Sequence, residues 1–200
     1  MTSRPSIVWR VKITLLGVEP QVWRTILLRA DTKLAQFHRY VQAAMGWRES
    51  HLYVFQIGGR EYGVPSDFGE KVFDARRYTL TRLIAELPAT FGYVYDFGDH
   101  WAHRIDIEAT EDAAYRKQYP ICVDGAGDCP PEDCGGPPGY RNLKDALADS
   151  SHLQHGELRE WVERIDYGRQ FSNQRAKAPL ANLTPVFGLA LQCPAKRIAR

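Results

Sequence analysis

Residues 7–15 alternate apolar and polar positions, with Ile7, Trp9, Val11, Ile13 and Leu15 on one face and Arg10, Lys12 and Thr14 on the other. A period of two predicts a half-buried strand. Gly17-Val18-Glu19-Pro20 interrupts it, and residues 22–29 read as a second strand returning antiparallel. The period then changes to that of a helix: Leu34, Phe37, Val41, Ala44 and Met45 share one face, Asp31 or Thr32 is placed to cap it, and Gly46 closes it. Residues 52–57 and 60–63 flank Gly58-Gly59, the signature of a hairpin with a tight primed turn. Residues 64–78 show no periodicity and read as an irregular loop. Residues 79–87 read as a short helix carrying Leu80, Leu83, Ile84 and Leu87, stopped by Pro88.

A second hairpin is expected across residues 91–108. Phe91, Tyr93, Tyr95 and Phe97 share one face of its first strand, and Trp101, His103, Ile105 and Ile107 share one face of its second. A three-residue connection, Gly98-Asp99-His100, would pair Phe97 with Trp101 and Tyr95 with His103, so that both apolar faces coincide. A two-residue loop would swap the faces. In this register Asp96 lies diagonal to Arg104, and His103 sits among aromatics. Beyond it, residues 140–148 (Leu143, Leu147) and 157–165 (Leu158, Trp161, Val162, Ile165) have helical spacing, the second ended by Gly168. The order hairpin, helix, hairpin, short helix, strand predicts an α+β fold: a β-grasp-like mixed sheet with an added hairpin and C-terminal helices packed on it. Residues 6–166 form the expected domain, and residues 167–200 a basic, partly irregular tail.

Between these elements lies CVDGAGDCPPEDCGGPPGY, residues 122–140, with three of the four cysteines, five glycines and four prolines. Pro removes backbone donors and Gly loosens the chain, so neither a regular helix nor a central strand is expected there. A long structured loop is usually functional. Cys122, Cys129 and Cys134 are spaced C-x6-C-x4-C, and the second interval suits a zinc site. His103, His100, a loop Asp or the distant Cys193 are candidates for a fourth ligand. The plainer reading is a rigid loop whose cysteines are small buried hydrophobes. His103 is either a satisfied core histidine or a ligand or general base. Asp96 and Asp99 either cap the turn or join Glu132 and Asp133 around a hard cation. Trp101, Glu132, Asp133 and Tyr140 are expected on a recognition surface, and His51 reads as a local cap.

Charge narrows the partners. After Asp166 there are six basic residues (Arg169, Arg175, Lys177, Lys196, Arg197, Arg200) and no acidic one, which leaves 20 basic against 24 acidic residues, a net of −4, in residues 1–166. A body of that sign is a poor match to a phosphate backbone, so a protein partner is expected, with DNA contacted, if at all, through the tail. No apolar run is long enough to span a membrane and the N-terminus lacks a signal peptide's apolar core, so a cytoplasmic protein with reduced thiols is expected. Walker A, G-x-G-x-x-G, H-E-x-x-H and G-x-S-x-G motifs are all absent.

The segments GVEPQVWRTILLRADTKLAQFHRYVQAAMGW, SHLYVFQIGGREYG, YVYDFGDHWAHRIDIE and CVDGAGDCPPEDCGGPPGY together resemble the Ri-plasmid ORF-three-like family, over about residues 6–166. The resemblance implies a compact α+β protein of a largely uncharacterised family, found on plasmids, in genomes and as passenger proteins of insertion elements. Some members carry a resolvase-like label, but the activated serine and arginine cluster of a serine recombinase are absent here. The combined expectation is a non-catalytic binding or accessory domain recognising its partner through the Cys/Gly/Pro loop, with zinc as its possible cofactor. The alternative is a metal-assisted hydrolase or nuclease using His103, Asp96 and Asp99.

Overall fold

The computed structural model describes residues 7–66, 71–86, 88–114 and 117–165, together with the backbone of 195–196. The fold is mixed α+β. Its strands are β1 (Ile7–Leu15), β2 (Trp23–Arg29), β3 (Tyr53–Ile57), β4 (Arg60–Gly63), β5 (Val72–Asp74), β6 (Ala89–Tyr95), β7 (Trp101–Asp112), β8 (Ile121–Ala126) and β9 (Ala195–Lys196). Its helices are α1 (Leu34–Met45), the single turn α2 (Leu80–Leu83), α3 (Gly136–Ala148) and α4 (His155–Arg164). The described strands form one sheet in the order β5-β4-β3-β6-β7-β1-β2-β8-β9. Its ladders are antiparallel apart from β4–β5 and β8–β9. Among the described residues no helix is long and apolar enough to cross a membrane.

β1 follows its alternation, burying Trp9, Val11, Ile13 and Leu15 while Ile7, at the strand's start, is exposed. Val8 and Thr14 on the opposite face are buried as well. Helix α1 presents Leu34, Phe37, Val41, Ala44 and Met45 to the core, and Phe37 stacks on Phe55 of β3 at 5.5 Å. Burial of such a side chain stabilises by about 1.5–3 kcal/mol. Gly46 ends the helix in the left-handed conformation, as expected. The N-terminal cap differs: Lys33 holds that position without a side-chain bond, while Thr32 Oγ1 donates back to the Arg29 carbonyl and Asp31 pairs with Arg29. Ile57 pairs with Arg60 across Gly58-Gly59, both at positive φ, which is the primed turn read from the sequence.

Several expectations need correction. Residues 64–78 contain β5, paired parallel to β4, and a 3-10 turn at Ala75–Arg77. The helix expected over 79–87 shrinks to α2, with Leu87 outside the described residues. In the second hairpin Tyr95 pairs with Trp101 and Tyr93 with His103, so the connection is five residues, 96–100, and Phe97 leaves the strand to stand 55% exposed. The shift is by an even number of positions, so His103 keeps its buried face, but Asp96 moves into the turn and Arg104 bonds Asp106 instead. Residues 122–140 are less irregular than their composition suggests. Cys122 lies within β8, which pairs with β2, and α3 begins at Gly136. Pro137 and Pro138 fall in the helix's first turn, where their missing N–H groups have no intrahelical partner to lose. Gly168 and most of residues 172–200 lie outside the described residues.

Candidate functional site

Three loops meet where β6 turns into β7: residues 46–52 after α1, residues 96–100, and residues 127–135 between β8 and α3. Arg24 of β2 anchors their roots. Its guanidinium is buried and donates to the carbonyls of Ala44 at the end of α1 and of Ala126 and Gly127 at the end of β8, at 3.2, 2.8 and 3.1 Å. The Trp47 indole donates to the Pro130 carbonyl at 2.9 Å and stacks on Tyr95, closing the first loop over the third.

The Tyr95 hydroxyl is the hub. It accepts from the backbone N–H groups of Ser50 (3.0 Å) and His51 (3.3 Å) and donates to a Glu132 carboxylate oxygen, whose other oxygen accepts from the Arg48 N–H at 3.0 Å. Burial, then the bond to Glu132, pushes the Tyr95 phenol far above its ordinary range, so the hydroxyl stays protonated and donating. A second buried chain reaches the same loops from the core. His38 Nδ1 meets the Tyr93 hydroxyl at 2.7 Å, Gln42 Nε2 donates to that hydroxyl, and Gln42 Oε1 accepts from the Glu49 N–H.

The middle loop is held by its own carboxylates. Asp96 Oδ1 accepts from the N–H groups of Gly98 (2.9 Å) and Asp99 (3.3 Å), and Asp99 Oδ2 accepts from the Gly135 N–H at 3.1 Å. A side chain at Gly136 would place its Cβ 2.3 Å from the Asp99 carbonyl oxygen, so only glycine permits this approach. Among the described residues the non-glycine positive φ angles are Glu49 (60°), Asp96 (58°), His100 (53°) and Asp133 (61°). All four belong to these loops. Each left-handed residue costs about 1–2 kcal/mol, and such strain concentrates where function or an over-determined contact sustains it.

Within this frame His51 Nε2 lies 3.0 Å from Asp133 Oδ1 and 3.5 Å from Asp96 Oδ2. The three ligand atoms lie within 4.8 Å of one another, and among the described residues this is the set of His, Cys and carboxylate groups that converges as a metal site would. His51, read from the sequence as a local cap, is thus the histidine of the site. Nothing in its own segment signals this. The β3–β6 pairing, extended by the bond from the Asp96 N–H to the Leu52 carbonyl, brings it beside Asp96.

The other candidates are placed differently. His103 is only 2% exposed, enclosed by Trp47 and Tyr93, with Nδ1 donating to the Trp101 carbonyl at 2.9 Å and Nε2 buried without a hydrogen-bond partner. Burial pushes it down to about 4, which keeps it neutral at physiological pH and out of reach of solvent. The expected role for His103 as ligand or base is therefore corrected to a core residue. Asp96 and Asp99 do reach the loops, Asp96 facing His51 and Asp99 clamping Gly135. His100 stands exposed on the same turn, though outside the convergent set. Of the expected recognition surface, Trp101 and Tyr140 are buried and serve the core, Glu132 is the Tyr95 clamp, and Asp133 remains exposed.

Among the described residues the cysteines do not converge with His103. Cys122 lies in β8 with its Sγ 3.5 Å from the Thr25 carbonyl oxygen, and Cys193 lies outside the described residues. Cys129 is buried with Sγ 3.1 Å from Met45 Sδ, and burial pushes its thiol up to about 11. Burial and then Asp99 push Cys134 up to about 12. Neither of these two thiols is the low-pKa thiolate of a reactive cysteine.

Comparison with known proteins agrees with this fold. The chain is 42% identical over 166 residues, 82% of its length, to the uncharacterised protein y4hQ of Sinorhizobium fredii (strain NBRC 101917 / NGR234), of which it covers 85%. The crystal structure of MM3350, a protein of unknown function from Methanosarcina mazei Go1, superposes with a TM-score of 0.73 at 27% identity, over 80% of this chain and 91% of that one. Residues 7–176 match the family described as plasmid pRiA4b ORF-3-like protein, and the chain belongs to that family.

Proposed function

We propose that the chain is a non-catalytic binding or accessory module of the cytoplasm, associated with plasmids or mobile elements, and that its recognition surface is the three-loop end of the sheet. The observation that carries this reading is a surface both strained and pinned: four left-handed non-glycine residues are held by Tyr95, Glu132 and Arg24 in loops open to solvent. Leu52 and Phe97 stand 56% and 55% exposed on these loops. These loops carry six carboxylates (Glu49, Asp96, Asp99, Asp128, Glu132, Asp133) and one guanidinium, Arg48, while Glu49 is paired with Arg39 of α1. That balance suits a protein partner offering a basic segment with an apolar anchor, and disfavours nucleic acid at this end. The likeness to a β-grasp rests on the order β1, β2, α1, β3, β4.

Panning a random peptide library against the wild-type chain and a Leu52→Ser, Phe97→Ser double variant tests the reading. Sequences rich in Lys or Arg beside an apolar residue should be enriched on the wild type and bind the variant at least tenfold more weakly. Their affinity should fall as salt rises. No enrichment, or equal binding by both chains, would overturn it.

A second reading, metal-assisted hydrolysis, draws on one observation: a histidine and two carboxylates converge at a solvent-reachable rim, with His51 where His103 was expected. Cleavage of a generic phosphodiester that requires both an added divalent ion and His51 would favour it over the first.

A further inference from the structure

We propose that His51, Asp96 and Asp133 form a binding site for a divalent transition-metal ion of the zinc class, distinct from the cysteines. The proposal goes beyond the partner-binding reading and does not depend on it.

Donor spacing is the first argument. Zinc holds nitrogen and carboxylate oxygen at about 2.0–2.2 Å, and tetrahedral angles then put neighbouring donor atoms roughly 3.3–3.6 Å apart. Of the two distances from His51 Nε2, 3.5 Å falls within that range and 3.0 Å lies just below it. The second argument is an orphaned atom. His51 Nε2 is buried and has no hydrogen-bond partner, although two carboxylate oxygens stand within 3.5 Å, because neither lies in hydrogen-bonding geometry. The carboxylates stand at ion-pair distance from this nitrogen without hydrogen-bonding it, and a cation between them would coordinate all three ligand atoms.

The supports are built for this task. Asp96 spends Oδ1 on the Gly98 and Asp99 N–H groups, which leaves Oδ2 directed at His51 from a side chain that is only 10% exposed. The Tyr95 hydroxyl fixes the backbone of His51, and its ring packs edge-on against the imidazole. Glu132, clamped by the same hydroxyl, fixes the residue preceding Asp133. Asp96 and Asp133 both reach the cluster from left-handed backbone, a strain that bond network sustains. The imidazole donor selects against calcium, which takes six to eight oxygens, and for ions that accept nitrogen. With Asp133 largely exposed, the remaining coordination positions face solvent.

The test uses the tag-free full-length chain, stripped with a chelator and titrated with zinc against a chromophoric competitor. One equivalent should bind. Asp133→Asn, on a side chain 69% exposed, should keep the near-UV circular dichroism of the wild type and weaken zinc at least tenfold, and His51→Ala should do the same. Cys129→Ser with Cys134→Ser should leave the affinity unchanged. Cobalt bound in place of zinc should show visible d–d bands without a thiolate charge-transfer band. No uptake, undiminished uptake by folded Asp133→Asn, or a thiolate band would overturn the proposal. Because no partner is present, this result and that of the peptide panning stand or fall separately.

Discussion

Two histidines near the β6–β7 turn have opposite surroundings. His103, on β7, belongs to an aromatic box of Trp47, Tyr93 and Trp101, gives one nitrogen to a carbonyl and keeps the other away from water. His51, at the rim, keeps its ring partly open and directs Nε2 at two carboxylates. The one in the more conspicuous sequence motif is buried in the core, while the one in an unremarkable segment faces two carboxylates. A motif dense in aromatics marks where the fold is most constrained, and the site lies beside that constraint because strained loops need a rigid floor.

The largest effect should come from removing the floor. Trp101→Ala deletes a fully buried indole and should destabilise by about 3–5 kcal/mol, read from urea unfolding. A loss below about 1 kcal/mol would mean that the box is not the support described here. Acid should separate the two regions next. Burial pushes His38 down to about 3 and His103 to about 4, below an ordinary imidazole near 6.5. Between those values the unfolded chain binds the additional protons, so their stabilisation is complete above pH 6.5 and is lost as pH falls toward 4 and 3. Two such groups remove about 2 kcal/mol between pH 6 and 5. A double variant, His38→Gln with His103→Gln, should flatten that slope. A wild-type profile already flat over this interval would contradict the buried, neutral assignment.

The floor was the more legible part. β1, the primed turn at Gly58-Gly59 and the apolar face of α1 follow directly from periodicity, because each is decided by residues close in sequence. Even the misjudged turn before Trp101 kept its faces, since the error was even in number. It was misjudged because Asp96 and His100 adopt left-handed backbone that their identities permit but do not announce. β8 is masked in the sequence by Gly125 and Cys122, and its strand character comes from pairing with β2. The His51 cluster is illegible in the sequence for a deeper reason: it requires the β3–β6 register and the approach of Gly136 to Asp99, two long-range contacts, together with the five-residue turn.

Between floor and rim stands Tyr95, and Tyr95→Phe should have an intermediate effect. It strips the Ser50 and His51 N–H groups of their acceptor and Glu132 of a donor, at a cost of about 1–3 kcal/mol. Hydrogen exchange should quicken at residues 48–52 and 131–135 while the β6–β7 ladder keeps its protection. Uniform quickening across the sheet would show that the hydroxyl serves the whole fold and would erase the distinction between the regions.

The smallest effect carries the sharpest contrast. Asp133→Asn changes one exposed residue at φ 61°, and asparagine tolerates that backbone at least as well as aspartate. It also removes a negative charge held near that of Asp96. In metal-free buffer at pH 8 stability should therefore hold or rise by up to about 0.5 kcal/mol. A residue kept for the fold would instead lower stability when changed. If the variant unfolds at lower urea than the wild type, Asp133 belongs to the floor. If it unfolds at the same concentration or higher and no longer takes up zinc, the carboxylate pair is a feature the chain maintains against its own stability, as a binding site requires.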